Sequence, residues 1–407
     1  MISMSSRRAY LAAVTLTFGL SLVSSASAFR VLHKFAGGGD GAYPQFSNIV
    51  EFRNGDLYGV TSGGGDATCQ CGIVFKLTHA GDETVLYRFM GGNDGAVPYG
   101  GLEKGTDGNL YGVTTQGGGG PCMNGCGTVF QITPEGIETV IHRFAGGTDG
   151  SVPYARLHAG KHGILYGTTL SGGDATCQCG TVFRITPGGA KTILHSFAGA
   201  TDGASPQSPL VEDQNGNLFG STSAGGASTC NSAGCGTIYE VAANGGERVL
   251  HAFQGNDGSD PLGAMVIDAD GNLYGAANQG GEQALGNVFK VASDGTLSVL
   301  HYFTNGDGYF PSGGVTSDGK GRLYGTTDRG GSICDCGIIF AVGENASQGN
   351  GYGVDYVFGT PRGPVRSWLP DNALHVDKRG HVYGIAAYGV RNCSQYGCVF
   401  SVGALGT

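Results

Sequence analysis

Three polar side chains stand at one place in a repeated pattern and are of types that do acid–base or metal chemistry. Glu103, His158 and His375 each lie seven residues before a Leu-Tyr-Gly or Val-Tyr-Gly string, where sibling copies carry Val50, Val211, Val266 or Thr316. One carboxylate and two imidazoles that converge can hold a metal or move protons. They belong to the second, third and seventh copies, with Glu51, Lys104 and Glu212 in the next column, and no nucleophile motif accompanies them. A catalytic reading, as an extracellular lyase or hydrolase, therefore competes with that of a polar channel lining.

Cysteine and aspartate recur as regularly. Twelve cysteines form six local pairs, Cys69/Cys71, Cys122/Cys126, Cys177/Cys179, Cys230/Cys235, Cys334/Cys336 and Cys393/Cys398, and the fifth copy reads Gly280-Gly281-Glu282 in their place. An even count in local pairs reads as a disulfide framework in an exported chain. Cys-x-Cys is also a soft-metal grip, yet zinc asks for four ligands, and three pairs have three or four intervening residues. Asp-Gly-x-x-Pro supplies Asp40, Asp94, Asp149, Asp202, Asp257 and Asp307. Six carboxylates around one mouth can attract calcium, although Asp-Gly is first of all turn chemistry; no other cofactor is implied. Histidines at His33, His142, His195, His251 and His301, with Tyr87 and Tyr356 in the same slot, read as packing residues on an outer strand.

The pattern breaks between the sixth and seventh copies, at Thr360 to Asp371. This segment holds the only tryptophan, Trp368, near Arg362, Arg366 and Asp371. An aromatic beside charged groups suits stacking on a sugar ring or a partner's apolar patch, and the same tryptophan can instead plug a closing seam.

These residues are positioned by a unit that recurs every 50 to 59 residues, its strings beginning at Leu57, Leu110, Leu165, Leu218, Leu273, Leu323 and Val382. Such periods belong to solenoids, propellers or arrays. The fourth copy shows four short strands, predicted at 210–212, 218–222, 236–241 and 248–253, with Asn-Gly hairpins at Asn215-Gly216 and Asn244-Gly245. We name the strands a to d. The chain enters at Val31 to Phe35, a d strand with nothing before it, and ends at Val399 to Val402, a c strand with no d after it. Pairing the two protects both edges and closes a seven-bladed, all-β propeller.

Residues 1–28 read as a signal peptide, with Arg7-Arg8, an apolar run from Ala9 to Val23 and Ala26-Ser27-Ala28 as the cleavage site. Ser6 to Leu11 also resembles a twin-arginine signal, so Sec and twin-arginine export both stand, to the periplasm or beyond. Residues 29–407 then form one domain, expected to be a monomer. A net charge of −9 with 14% charged residues lacks the basic footprint of a nucleic-acid binder, and no later apolar run spans a bilayer.

The strings Gly-Asn-Leu-Tyr-Gly, Cys-Gly-Thr-Val-Phe and Val-Leu-His-x-Phe, in seven copies over residues 30 to 402, resemble the GloVer-type "choice-of-anchor" tandem repeat. The resemblance implies an exported bacterial repeat protein with no assigned reaction, often surface-tethered by a C-terminal anchor. No anchor is read in Val402 to Thr407, so tethering is not expected. The expectation is a binding or scaffolding module for carbohydrate or a cell-envelope partner, set against the enzyme above and a purely structural surface protein.

Overall fold

The computed structural model describes residues 29–45, 47–331, 335–347, 351–358, 373–387 and 393–403. Residues 1–28, and with them the expected signal peptide, lie outside these, as do Trp368, Arg362, Arg366 and Asp371.

Seven antiparallel sheets form a ring, each with the order a-b-c-d. Blade four runs Val211–Glu212, Leu218–Ala224, Thr237–Val241 and Glu247–Ala252, within two residues of the sequence reading, with Ala204–Pro206 adding a fifth strand beside b. Blade one is Val50–Glu51, Leu57–Thr61, Ile73–Leu77 and Glu83–Arg88, and blade two opens with a longer a strand, Ala96–Lys104. Blade seven is built from both ends of the chain. His375–Val376, Val382–Ala386 and Cys398–Val402 supply a, b and c, and Phe29–Lys34 pairs Cys398–Val402 as d.

Strand b reads Leu-Tyr-Gly because its two faces have different neighbours. The glycine has no side chain because the c-strand phenylalanine lies over it: a Cβ on Gly59 would stand 2.6 Å from Phe75 Cζ, and Gly167 repeats this with Phe183. That phenylalanine meets the Phe of strand d's Val-Leu-His-x-Phe edge-on, as in Phe35–Phe75 at 5.2 Å and Phe144–Phe183 at 5.4 Å. The d-strand phenylalanine thus reaches the next blade, and core clusters run across seams rather than within blades.

A second set of contacts stitches the seams at the loop face. In all six Asp-Gly-x-x-Pro loops the residue before proline is left-handed: Tyr43, Val97, Val152, Ser205, Asp260 and Phe310 have φ between 56° and 60°. The preproline position ordinarily prefers extended backbone. Here the left-handed turn aims its N–H at the preceding blade, where Val97 donates to Cys71 O at 2.8 Å and Val152 to Cys126 O at 2.9 Å. The proline then lies against the glycine that follows the accepting carbonyl, so a Cβ on Gly72 or Gly127 would stand 2.6 Å from Pro98 or Pro153 Cδ. This explains Cys-Gly and Asp-Gly-x-x-Pro together, as two halves of one lock.

Five cysteine pairs are disulfides, Cys69–Cys71, Cys122–Cys126, Cys177–Cys179, Cys230–Cys235 and Cys393–Cys398; Cys336 is also disulfide-bonded, and Cys334 lies outside the described residues. Closed disulfides belong to an oxidising compartment. Four rest on a left-handed glycine of the d-to-a loop, Gly91, Gly146, Gly199 or Gly255, holding the two loops of the blade together. Among the described residues no helix is long and apolar enough to cross a membrane.

Candidate functional site

The axial channel is nearly filled where the sequence reading placed a mouth. Its cavity is about 50 Å³, lined by Asn48, Gly100, Arg156, Gln207, Gly263 and Gly313 among others. That is room for a few waters and not for a sugar ring. Small residues let the backbones meet: a Cβ on Gly100 would stand 2.6 Å from the Ala155 backbone carbon, and the Ala264 N–H donates to Gly313 O at 3.3 Å. Tyr99 and Tyr154 pack at 4.5 Å between ring centres beside it.

Glu103, His158 and His375 are not gathered into one hydrogen-bonded group; each bonds a neighbouring blade. Glu103 accepts from Arg156 and from the Ala159 N–H, His158 Nε2 lies 3.0 Å from Glu212 Oε2, and His375 Nε2 lies 3.1 Å from Glu51 Oε2. The columns noticed in the sequence are thus partners across seams.

The loop aspartates and the d-strand histidines, treated separately in the sequence reading, are also partners. His142 Nε2 is 3.2 Å from Asp149, His195 3.1 Å from Asp202, His251 2.9 Å from Asp257 and His301 3.1 Å from Asp307, while the Tyr87 hydroxyl donates to Asp94 at 2.7 Å. The same carboxylates accept a backbone N–H three or four residues earlier, as Asp94 does from Met90 at 2.6 Å and Asp307 from Thr304 at 2.7 Å. The constant spacing of six or seven residues from His or Tyr to Asp was the available signal.

One seam gives a pH prediction. Glu138, on blade two, faces Tyr87 and Asp94 of blade one, and its Oε1 has no hydrogen-bond partner. Burial first, then the Asp94 charge, pushes its carboxyl up to about 7 against the opposing pull of Arg143. A carboxyl raised in the fold stabilises it below the unfolded value near 4.5, and that contribution is lost as pH rises to about 7. Glu138→Gln is therefore expected to match the parent in thermal unfolding at pH 4 and to exceed it increasingly between pH 5 and 8.

The spacious concave surface lies on the opposite face, among the a–b and c–d hairpins of blades seven, one and two. A groove of about 760 Å³ is bordered by Arg53, His79, Lys104, His375, Lys378 and Arg379, together with Glu51, Phe52 and Asp377. A second hollow of about 630 Å³ shares Phe52, Arg53, Asn54 and Lys104 and extends it toward Lys76 and Glu135. The acidic members are engaged within the chain. Glu51 faces His375, and Asp377 takes His381 Nδ1 at 2.9 Å and the Arg379 and His381 N–H groups at 2.7 and 2.9 Å. Arg53, Lys378 and Arg379 are exposed, and among the described residues no carboxylate pairs with them or with Lys104, whose Nζ stands 3.7 Å over the Phe52 ring. Four unpaired cations share one hollow in a chain of net charge −9. Among the described residues singled out in the sequence, only His375 and its neighbouring-column companions Glu51 and Lys104 border it.

Comparison with known proteins matches residues 16–233 and 227–406 to the Gloeobacter/Verrucomicrobia repeat. No curated protein matches the chain. Similar solved structures include an X-ray structure described as a candidate gluconolactonase, 12% identical, with a TM-score of 0.45 over 94% of this chain and 95% of that one.

Proposed function

Starting from a chain that belongs to the Gloeobacter/Verrucomicrobia repeat family, we propose an exported propeller that binds an acidic polysaccharide in the groove across blades seven, one and two. The observation that carries this reading is the set of four unpaired cations, Arg53, Lys104, Lys378 and Arg379, along one open hollow of an otherwise acidic protein. Guanidinium groups favour carboxylates through paired, charge-assisted hydrogen bonds. The continuation of the groove past Asn54 and Lys104 into the second hollow suits an extended chain. The chain's net charge of −9 disfavours polyanion binding away from this cluster. Disulfides consistent with an oxidising compartment agree with a ligand of the cell envelope or its surroundings. Binding is the activity proposed, and it is placed in the groove because the axial cavity is too small for a sugar ring.

The test is affinity for polygalacturonate as the acidic probe and for a neutral glucan as its control. Replacing both Arg53 and Arg379 by Ala is expected to weaken polygalacturonate binding by roughly tenfold or more, about 1.4 kcal/mol, with unfolding temperature little changed because both side chains are exposed. Equal affinity for the neutral glucan, or no loss in the double variant, overturns the reading.

A further inference from the structure

The described seams repeat one arrangement: the d-strand His or Tyr, the loop Asp that follows it, and the first residue of the next blade's d strand. That third residue varies, as Glu83, Glu138, Lys191, Glu247, Leu297 and Tyr352 in order along the chain. The seam between blades two and three shows what the slot accepts. Lys191 brings its own cation there, with Nζ 2.7 Å from Asp149 Oδ1 and a side chain only 6% exposed.

Where the ring closes, the same slot carries a carboxylate in place of the ammonium. His33 Nε2 stands 3.6 Å from Asp40 Oδ1 and 3.7 Å from Glu83 Oε2, and one ligand atom from each of the three lies within 4.8 Å of the others. The four other His–Asp pairs approach to 2.9–3.2 Å. At His33 the group is opened beyond hydrogen-bond reach, and His33 Nε2 and Glu83 Oε1 are buried without a hydrogen-bond partner, as are His301 Nε2, Glu138 Oε1 and Glu247 Oε1 at other seams. The Glu83 side chain is 9% exposed, while Asp40, at 28%, leaves a way in from solvent. Arg88, whose charge reaches Glu83, is turned to the Gly39 carbonyl at 3.2 Å. Ligand bonds of roughly 2.0–2.2 Å in a tetrahedral site put neighbouring ligand atoms about 3.3–3.6 Å apart, close to the spacing found here.

We propose that His33, Asp40 and Glu83 bind a divalent transition metal of the zinc type, which ties the outer strand of blade seven to that of blade one. One imidazole and two carboxylates suit zinc better than calcium, which takes six or more oxygens. Water completes the coordination. His195, Asp202 and Glu247 form the same kind of group between blades three and four. There His195 already bonds Asp202 at 3.1 Å and must give up that contact, which makes it the weaker site.

The test is a zinc titration of the full chain after chelator treatment, followed by calorimetry and by thermal unfolding. A saturable site with a rise in unfolding temperature is expected, weakened at least roughly tenfold in Glu83→Gln and unchanged in Glu138→Gln, whose seam has Tyr87 in place of a histidine. His33→Gln serves as a second ligand variant should Glu83→Gln fail to fold. No saturable zinc binding, or undiminished binding in whichever ligand variant folds, overturns the proposal.

Discussion

Removal of residues 29–35 is expected to abolish cooperative folding of the whole ring, and not merely to fray one edge. Strand Phe29–Lys34 is the d strand of blade seven, pairing Phe29 with Val402, Val31 with Phe400 and Lys34 with Cys398. Phe29 stacks on Tyr356 at 4.8 Å and on Phe400 at 5.4 Å, so its ring joins blades six and seven. Phe35 is fully buried and meets Phe75 of blade one at 5.2 Å. Losing one buried phenylalanine costs about 3–5 kcal/mol, and a domain's whole stability is about 5–15 kcal/mol. Deleting the buried Phe35 and the partly buried Phe29, with the hydrogen bonds of a six-residue strand, is enough to unfold it. Circular dichroism melting and protease resistance of the truncated chain check this. An open stack would lose one terminal strand and keep a sharp transition; a closed ring should not.

Gly127→Ala is expected to cost about 3 kcal/mol or more, through two mechanisms that add. Gly127 has φ +94°, a conformation that strains a residue with a Cβ by about 1–3 kcal/mol. The added methyl would also press on the Thr114 carbonyl and stand 2.6 Å from Pro153 Cδ. Neither can move freely, because Pro153 follows Val152, whose N–H is fixed on Cys126 O at 2.9 Å. Gly108→Ala separates the two contributions. Gly108 has φ +85° in the a–b hairpin of blade two, with nothing within 4 Å of its missing Cβ, so that change should cost only about 1 kcal/mol. Denaturant unfolding of both variants measures the difference. Equal losses at the two positions would mean that the lock between blades contributes nothing beyond local backbone strain.

The repeat architecture was legible because every copy must fill the same wedge. Gly59 and its equivalents make room for an aromatic ring, and Gly216, at φ +87°, closes a three-residue loop between Asp213 and Asn217, so residue type follows directly from a local demand. The orphan d strand at Val31 and the missing one after Val402 made closure readable as well. Partnerships were less so. His142 and Asp149 were each noticed, but nothing in either motif says that a d-strand imidazole folds back on the loop behind it, or that Lys191, from the next copy, completes the group. The Glu103, His158 and His375 column suggested convergence; radial geometry instead spends each residue on its neighbour. The groove was the least visible feature. Arg53, Lys104 and Lys378-Arg379 occupy hairpins that vary freely between copies, and blades seven and one become adjacent only when the ring closes. A scan for charge at equivalent turn positions, arranged in ring order, would have found it.

Hydrogen–deuterium exchange of the full chain with and without polygalacturonate tests most directly whether this groove is where the protein acts. The groove reading predicts slowed exchange in peptides covering residues 51–55, 104–108 and 375–381, with the six Asp-Gly-x-x-Pro loops unchanged. Protection confined to those loops and the cysteine pairs, with the groove peptides exchanging as before, would contradict it and move the ligand to the opposite face.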